Sequence, residues 1–501
     1  MTNTETSGTK PVRVRFAPSP TGYIHLGNVR AALFNWMFAR ASEGTFVLRI
    51  EDTDLERHVE GSDRDICEVL SWLGLNWGEG PRVGGAYGPY YQTQRLETYQ
   101  QIAQRLLDEG LAYYDFSQAP DREASPAEQS HEIVWESPDA RLDPAEAKKR
   151  VEAGEPHCVR MRVPAERYPN RVVAFQDKVH GTIRKDVEDF VIVKTNGIPT
   201  YHFAVVCDDQ AMAITHVVRG IGHLDNTAKH AVLYDALGWE RPQWAHHSHT
   251  KGLSKRKGSP SVGDFMRRGY LPEAIGNVCL LMGWFPKDGK ELFTIEERLA
   301  DFRIEDLNTA QDASFDEGKF AHICRWHMER AETERVLNLA RPFLETSGFI
   351  AEGAGRGTTD PLRPKLLAVI ECLKGKVTHA AELLDHLGPF RTPITIDEDA
   401  RACLAEADAR LAVEETKKAF LELVPEGTEA TAELFKAMTK QASKSAPLKE
   451  KKIKGRGYFH PLRAALTGAL VGPDLAAVFV WVGRDEVLRR LDAALAVSGE
   501  G

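Results

Sequence analysis

From Val12 to Trp36 the chain reads VRVRFAPSPTGYIHLGNVRAALFNW, and apolar Val12, Val14 and Phe16 alternate with Arg13 and Arg15. A period of two predicts a half-buried strand. Pro18, Pro20 and Gly22 interrupt it, and apolar positions at helical spacing resume from Val29, so the stretch predicts strand, sharp turn and helix. In an open α/β sheet such a turn lies at the carboxyl ends of the strands, where ligands bind, and the new helix directs unpaired N–H groups at a phosphate. Gly27 lets the backbone approach closely, and His25 can donate to a phosphate oxygen.

The next strand is predicted over residues 45–50, with Leu48 and Ile50 on one face and Arg49 and Glu51 on the other, facing an amine ligand. Helical spacing follows over 63–73 and 95–108, around a glycine- and aromatic-rich loop that reads as ordered. From Ala112 to Pro199 the pattern turns polar and Pro-rich, with short strands near 158–163 and 190–194, as in an insertion into a sheet domain. The sheet resumes over 199–220. Read by themselves, Tyr201 is a half-buried strand residue and Arg219 a solvated arginine at a strand end. A helix is predicted over 227–237, a basic glycine-flanked loop over 251–258, and a helix over 271–284 with a proline at its start. After Arg330 the spacing is helical throughout, in AAELLDHLG, RACLAEADARLA and PDLAAVFVWVGRDEVLRRLDAALA.

A length of 501 residues predicts two or three domains. With 64 basic and 73 acidic residues the formal charge is −9, so a nucleic-acid surface has to be a local patch. One basic concentration qualifies: Lys440, Lys444, Lys449, Lys451, Lys452, Lys454 and Arg456, opposed by Glu450 alone. The cysteines are scattered, with no CxxC pair, which fits reduced cytosol. The polar opening lacks a signal-peptide core and no apolar run has membrane-spanning length, so a cytoplasmic protein with no membrane partner is expected.

Tyr23-Ile24-His25-Leu26-Gly27-Asn28 resembles the HIGH signature of class I aminoacyl-tRNA synthetases, and the preceding Arg15-Phe16-Ala17-Pro18-Ser19-Pro20-Thr21-Gly22 resembles its form in glutamate tRNA ligases. Ser254-Lys255-Arg256 resembles the KMSKS loop, and GYFHPLRAALTG the family's C-terminal signature. The resemblance implies an α/β fold: a Rossmann-like nucleotide-binding domain in two halves (1–111 and 200–250), an inserted acceptor-binding domain (112–199), a KMSKS-like loop with a stem-contact helical domain (251–330), and an all-α anticodon-binding region (331–501). The helical end favours glutamate ligases over glutamine ligases, whose anticodon domain is a β-barrel.

The implied reaction has two steps. The glutamate carboxylate attacks the α-phosphorus of ATP, and the terminal ribose hydroxyl of tRNA(Glu) then takes the glutamyl group. By resemblance, Arg15, Ser19, Tyr201 and Arg219 contact L-glutamate and Glu51 takes its amino group. His25, Gly27, Asn28, Ser254, Lys255 and Arg256 serve ATP, with His25 and Lys255 catalytic and Mg²⁺ neutralising the diphosphate. Lys449, Lys451, Lys452, Lys454 and Arg456 are assigned to tRNA. A monomer is expected. Some relatives bind zinc through Cys-x-Cys in the insertion; here Asp115 and Ser117 stand in AYYDFS, so no structural zinc is expected. Ile221 and Gly222 replace two acids usual after Arg219-Gly220, and Gly252 replaces a KMSKS lysine. These departures leave open a tRNA-binding or regulatory paralogue with weak or altered activity, or a ligase that also charges tRNA(Gln).

Overall fold

The computed structural model describes residues 10–117, 137–251, 260–309, 313–314 and 316–497. The chain forms two compact units, Met1–Met266 with Pro272–Glu317, and Arg267–Leu271 with Gly318–Gly501.

In the first unit the order is β1 (Arg13–Phe16), α1 (Leu26–Ala41), β2 (Thr45–Leu48), α2 (Ser62–Trp72), α3 (Leu96–Asp108), β3 (Ala112–Asp115), α4 (Pro144–Glu152), β4 (Cys158–Met161), β5 (Val172–Asp177), β6 (Gly181–Asp186), β7 (Phe190–Val193), α5 (Tyr201–Ala211), β8 (His216–Gly220), α6 (Leu224–Ala236) and β9 (Gln243–His247). β1 and β2 pair in parallel, Arg13 facing Thr45 and Phe16 facing Leu48. β8 and β9 also pair in parallel, and β1 adjoins the start of β8, where the Thr215 N–H donates to the Arg13 carbonyl at 2.9 Å. Parallel strands with helical crossovers place the strand ends around one crevice.

Several elements differ from the sequence reading. α1 begins at Leu26, three residues before the apolar spacing is legible, because His25 takes an extended conformation and its carbonyl accepts from Asn28 and Val29. β2 ends at Leu48; Ile50 continues only as an isolated bridge to Tyr91. Arg49 and Glu51 are both buried. Arg15, on the supposedly polar face of β1, is also buried.

Tyr201 opens a helix rather than lying on a strand. The Ala204 N–H donates to the Thr200 carbonyl, starting the helical ladder, and residues 203–209 are buried throughout. An apolar run buried on all sides carries no periodicity that separates strand from helix. The hairpin β5–β6 also lacks a helix-or-strand signature strong enough to have been read. Its β5 joins β9 in parallel at Asp177 and Trp244, so the sheet order is β6-β5-β9-β8, while β3, β4 and β7 make a separate antiparallel sheet. Asp115 at the end of β3 accepts from the Ser117 hydroxyl at 2.5 Å, the Ser137 hydroxyl at 2.9 Å and Arg160 Nε at 2.6 Å.

After β9 come α7 (Val262–Arg267) and α8 (Pro272–Leu281). The second unit holds α9 (Glu317–Arg330), α10 (Thr333–Thr346), α11 (Leu362–Leu373), α12 (Glu398–Ala405), α13 (Ala407–Leu423), α14 (Ala432–Ala442), α15 (Ala446–Glu450), α16 (Arg456–Thr467) and α17 (Leu475–Leu495), and α12 to α17 bury Phe420, Met438, Tyr458 and Phe479 in one apolar cluster. AAELLDHLG forms 3-10 turns over Ala380–His386 instead of an α-helix, and Pro389 denies it a further donor. Glu406, extended at φ −69° and ψ 138°, divides RACLAEADARLA into two helices, and Gly483 at φ 79° breaks α17.

Candidate active site

The turn between β1 and α1 sits at the carboxyl ends of β1 and β8 and borders a cavity of about 530 Å³. Of the residues singled out from sequence, Arg15, Ser19, Gly27, Asn28, Glu51, Tyr201 and Arg219 all line it. His25 stands half-buried at the start of α1 and is not among the lining residues. Ser254, Lys255 and Arg256, with Gly252, lie outside the described residues. The first turn of α1 carries no acidic side chain, and a Cβ on Gly27 would meet nothing within 4 Å. That helix start therefore presents backbone donors to the cavity with no competing anion of its own.

Behind the lining lies an ionic knot that the sequence reading missed. Asp208 and Asp209 on α5 are buried, and buried acids persist only when paired. Asp209 accepts from Arg15 Nε at 3.0 Å and Arg49 Nη1 at 2.8 Å. Asp208 accepts from Arg95 Nε at 2.6 Å, Gln92 Nε2 at 2.8 Å and the Tyr99 hydroxyl at 2.9 Å. Glu51 accepts from Arg49 Nη2 at 2.9 Å. Burial opposes ionisation of Asp209, but Arg15 and Arg49 outweigh it and hold the carboxyl below its usual range. For Glu51, burial wins over Arg49 and pushes the carboxyl up. The signal for this knot was an adjacent acid pair inside the apolar run AVVCDDQAM, which burial makes costly without several arginines.

Arg15 is anchored by Nε alone; its two Nη nitrogens meet no acceptor among the described residues. Arg219 is anchored differently. Its Nε donates to His246 Nε2 at 3.2 Å, Nη1 to the Tyr201 hydroxyl at 3.1 Å, and Nη2 to the Thr227 hydroxyl at 2.7 Å and the His223 carbonyl at 3.2 Å. No carboxylate lies within ion-pair distance of it among the described residues. The cavity thus keeps an uncompensated guanidinium, 6% exposed. Such a group accepts a carboxylate bidentately.

Further lining residues were not singled out from sequence. Arg30, on the inner face of α1, donates to the carbonyls of Met282 at 2.8 Å and Ser248 at 2.5 Å, and burial pushes it down to about 10. His247, Ser248 and His249 follow β9 along the cavity wall. The lining contains one carboxylate, Glu51, already engaged by Arg49, so it offers no oxygen set for a divalent cation.

In the second unit Lys449, Lys451, Lys452, Lys454 and Arg456 are all exposed between α15 and α16. Lys451 pairs with Asp408 at 3.0 Å. Lys452 adopts φ 57°.

Comparison with known proteins agrees across the chain. Residues 11–321 match the family described as tRNA synthetases class I (E and Q), catalytic domain, and residues 335–495 match an anticodon binding domain. The glutamate–tRNA ligase of Heliobacterium modesticaldum is 40% identical over 501 residues, covering 97% of each chain. That of Carboxydothermus hydrogenoformans is 38% identical, covering 96% of this chain and 99% of the relative. The crystal structure of a glutamate tRNA ligase from Elizabethkingia meningosepticum in complex with its amino acid superposes with a TM-score of 0.80 at 30% identity, covering 97% of this chain and 99% of the other. With an acid-free helix start facing two arginine forks on this fold, and full-length relatives of one kind, the chain belongs to the glutamate–tRNA ligase family of class I aminoacyl-tRNA synthetases.

Proposed function

We propose that this chain attaches L-glutamate to tRNA(Glu) with ATP, through a glutamyl-adenylate, releasing AMP and diphosphate. One observation carries the reading: one cavity joins Arg15, whose Nη groups meet no acceptor among the described residues, and Arg219, which faces no carboxylate there, to the unobstructed start of α1. A glutamate bound there brings its α-carboxylate to the α-phosphorus. A carboxylate oxygen forms the new P–O bond as diphosphate leaves; in the second step the tRNA ribose hydroxyl attacks the acyl carbon and AMP leaves. Neither step needs an enzyme nucleophile, so alignment and charge stabilisation supply the rate.

Arg15 and Arg219 read the carboxylates, Glu51 takes the amino group, and Ser19 and Tyr201 complete the glutamate contacts. The Gly27 N–H and Asn28, with His25, face the nucleotide. Ser254, Lys255 and Arg256 serve the phosphates, Lys255 meeting charge that builds on the leaving diphosphate. Mg²⁺, where it accompanies ATP, would neutralise the diphosphate; among the described residues the cavity lining holds no carboxylate set for it. Exposed Lys449, Lys452, Lys454 and Arg456, with Lys451, take tRNA phosphates. Among the described residues no helix is long and apolar enough to cross a membrane; the reading is of a monomer that works in the cytoplasm.

ATP- and glutamate-dependent charging of purified tRNA(Glu) and tRNA(Gln) tests the proposal. Charging of tRNA(Glu) alone supports it, charging of both identifies a non-discriminating ligase, and tRNA binding without charging identifies a tRNA-binding paralogue. Lys255→Ala is expected to slow adenylate formation by about 2.7–4 kcal/mol of barrier while leaving tRNA affinity intact.

A further inference from the structure

The geometry points to Asp177 and His246 as positioning residues that aim the Arg219 guanidinium at the substrate carboxylate without neutralising it. This rests on the reading of Arg219 as a glutamate contact. Asp177 ends β5, in the hairpin whose strand joins β9, and His246 lies on β9 directly beside Arg219 in the β8–β9 register. Both side chains are 0% exposed. Asp177 Oδ1 accepts from the N–H groups of Val179 and His180, each at 3.0 Å, which fixes the carboxylate in a tight turn. Its Oδ2 takes His246 Nδ1 at 2.6 Å.

The two ends of the imidazole determine where its proton sits. An ionised carboxylate only accepts, so Nδ1 carries the hydrogen; Arg219 Nε only donates, so Nε2 carries the lone pair. Burial, with Arg219 nearby, pushes His246 down to about 4, which keeps it neutral; at Asp177 burial is opposed by His246 and by the Val179 and His180 N–H groups, which together hold that carboxyl low. The remaining partners of Arg219 are a phenol, a hydroxyl, a carbonyl and, at 3.4 Å, the His230 imidazole, which burial and Arg219 hold well below its ordinary value, so all are uncharged. One Nη1 hydrogen has no acceptor among the described residues. The contrast with Arg15 is instructive: a carboxylate in direct contact, as Asp209 is there, fixes an arginine but spends part of its charge. Placing the neutral imidazole between Asp177 and Arg219 gives the same orientation with the anion held one residue away. Asp177 thereby connects a hairpin distant in sequence to amino-acid recognition.

The test uses the full chain in steady-state charging with saturating tRNA, varying glutamate and ATP separately, for Arg219→Lys, His246→Leu, His246→Gln and Asp177→Asn. Arg219→Lys is the anchor: an unchanged glutamate KM there overturns the reading of Arg219 itself. Given a rise with that variant, His246→Leu is expected to raise the glutamate KM at least tenfold and the ATP KM less than twofold. His246→Gln, whose amide oxygen can replace Nε2 as acceptor, should recover most of the loss. Asp177→Asn should fall between, because its amide can also donate and reverse the imidazole. Equal rises in both KM values, or no rescue by Gln, would reduce the pair to a structural role and overturn the proposal. Should the variants fail to fold, ¹⁵N histidine spectra of the unmodified chain decide: a protonated Nε2 on His246 overturns it, and a protonated Nδ1 with bare Nε2 supports it.

Discussion

A Cβ placed on Gly222 would stand 3.1 Å from Cε1 of His249. The exposed imidazole therefore has to give way by a few tenths of an ångström for a side chain at position 222, where the family resemblance leads one to expect an acid. Both residues line the cavity. Gly222→Asp is expected to raise the ATP KM, because the new carboxylate and His249 compete for one volume. Gly222→Asp combined with His249→Ala should recover part of that loss, with a coupling of about 0.5–3 kcal/mol across the four chains. Additive effects on the ATP KM would show that the two positions act separately.

Arg15 and Arg219 are expected to part company when each is replaced by Gln. Arg15→Gln leaves the buried Asp209 with Arg49 as its remaining arginine partner and the buried group one cation short, and should lower stability by about 3–5 kcal/mol as well as weakening glutamate use. Arg219→Gln strands only neutral acceptors and should lower it by about 1–3 kcal/mol, while discrimination against glutamine relaxes. Denaturant midpoints beside charging rates at varied glutamate separate the two; equal stability losses would contradict the assignment of charge.

Acid should loosen the first unit well before its carboxylates titrate. His230, His246 and His247 are buried, and burial first, then Arg219 for the first two and Arg30 for the third, holds each below its ordinary value. The unfolded chain binds these protons at about pH 6.5, so over the window from there down to about 4 it is the better proton acceptor. Stability is then complete above about 6.5 and falls with pH, by up to about 1.4 kcal/mol per unit for each histidine. Unfolding midpoints between about pH 7.5 and 4.5 check this, and His246→Gln should make the profile shallower.

The strand-turn-helix at the front of the molecule was legible because Pro18, Pro20 and Gly22 punctuate two clear periods. So was the gathering of Arg15, Glu51, Tyr201 and Arg219, through their motifs. The anchoring of these residues was not. Alternation places Arg15 and Arg49 outward, and only the long-range pairing with Asp208 and Asp209 reverses that. Tyr201 was misplaced on a strand because the apolar sequence after it is buried on every side. The hairpin bearing Asp177 had no visible tie to the cavity, since its link runs through a single histidine.

Lys452 offers a clean measure of the basic patch. Its φ of 57° is the left-handed region, which glycine enters without strain, so Lys452→Gly removes a charge and should leave the turn and the stability intact. tRNA binding should weaken and its salt slope fall by about 0.9. Lys451→Ala is expected to change the slope less, its ammonium being shared with Asp408. Superimposable salt titrations for Lys452→Gly and the unmodified chain would remove the patch from the tRNA surface.

The knot behind the cavity balances three cations, Arg15, Arg49 and Arg95, against three anions, Glu51, Asp208 and Asp209. Descent with change is constrained accordingly. Replacing any one member by a neutral residue leaves the buried group one charge out of balance, so a second, opposite replacement would be needed to restore it. Two of the six, Arg15 and Glu51, also border the cavity, and the other four inherit their fixity from that fact. Selection on glutamate recognition is in this way felt at Asp208 and Arg95, positions that never meet a substrate.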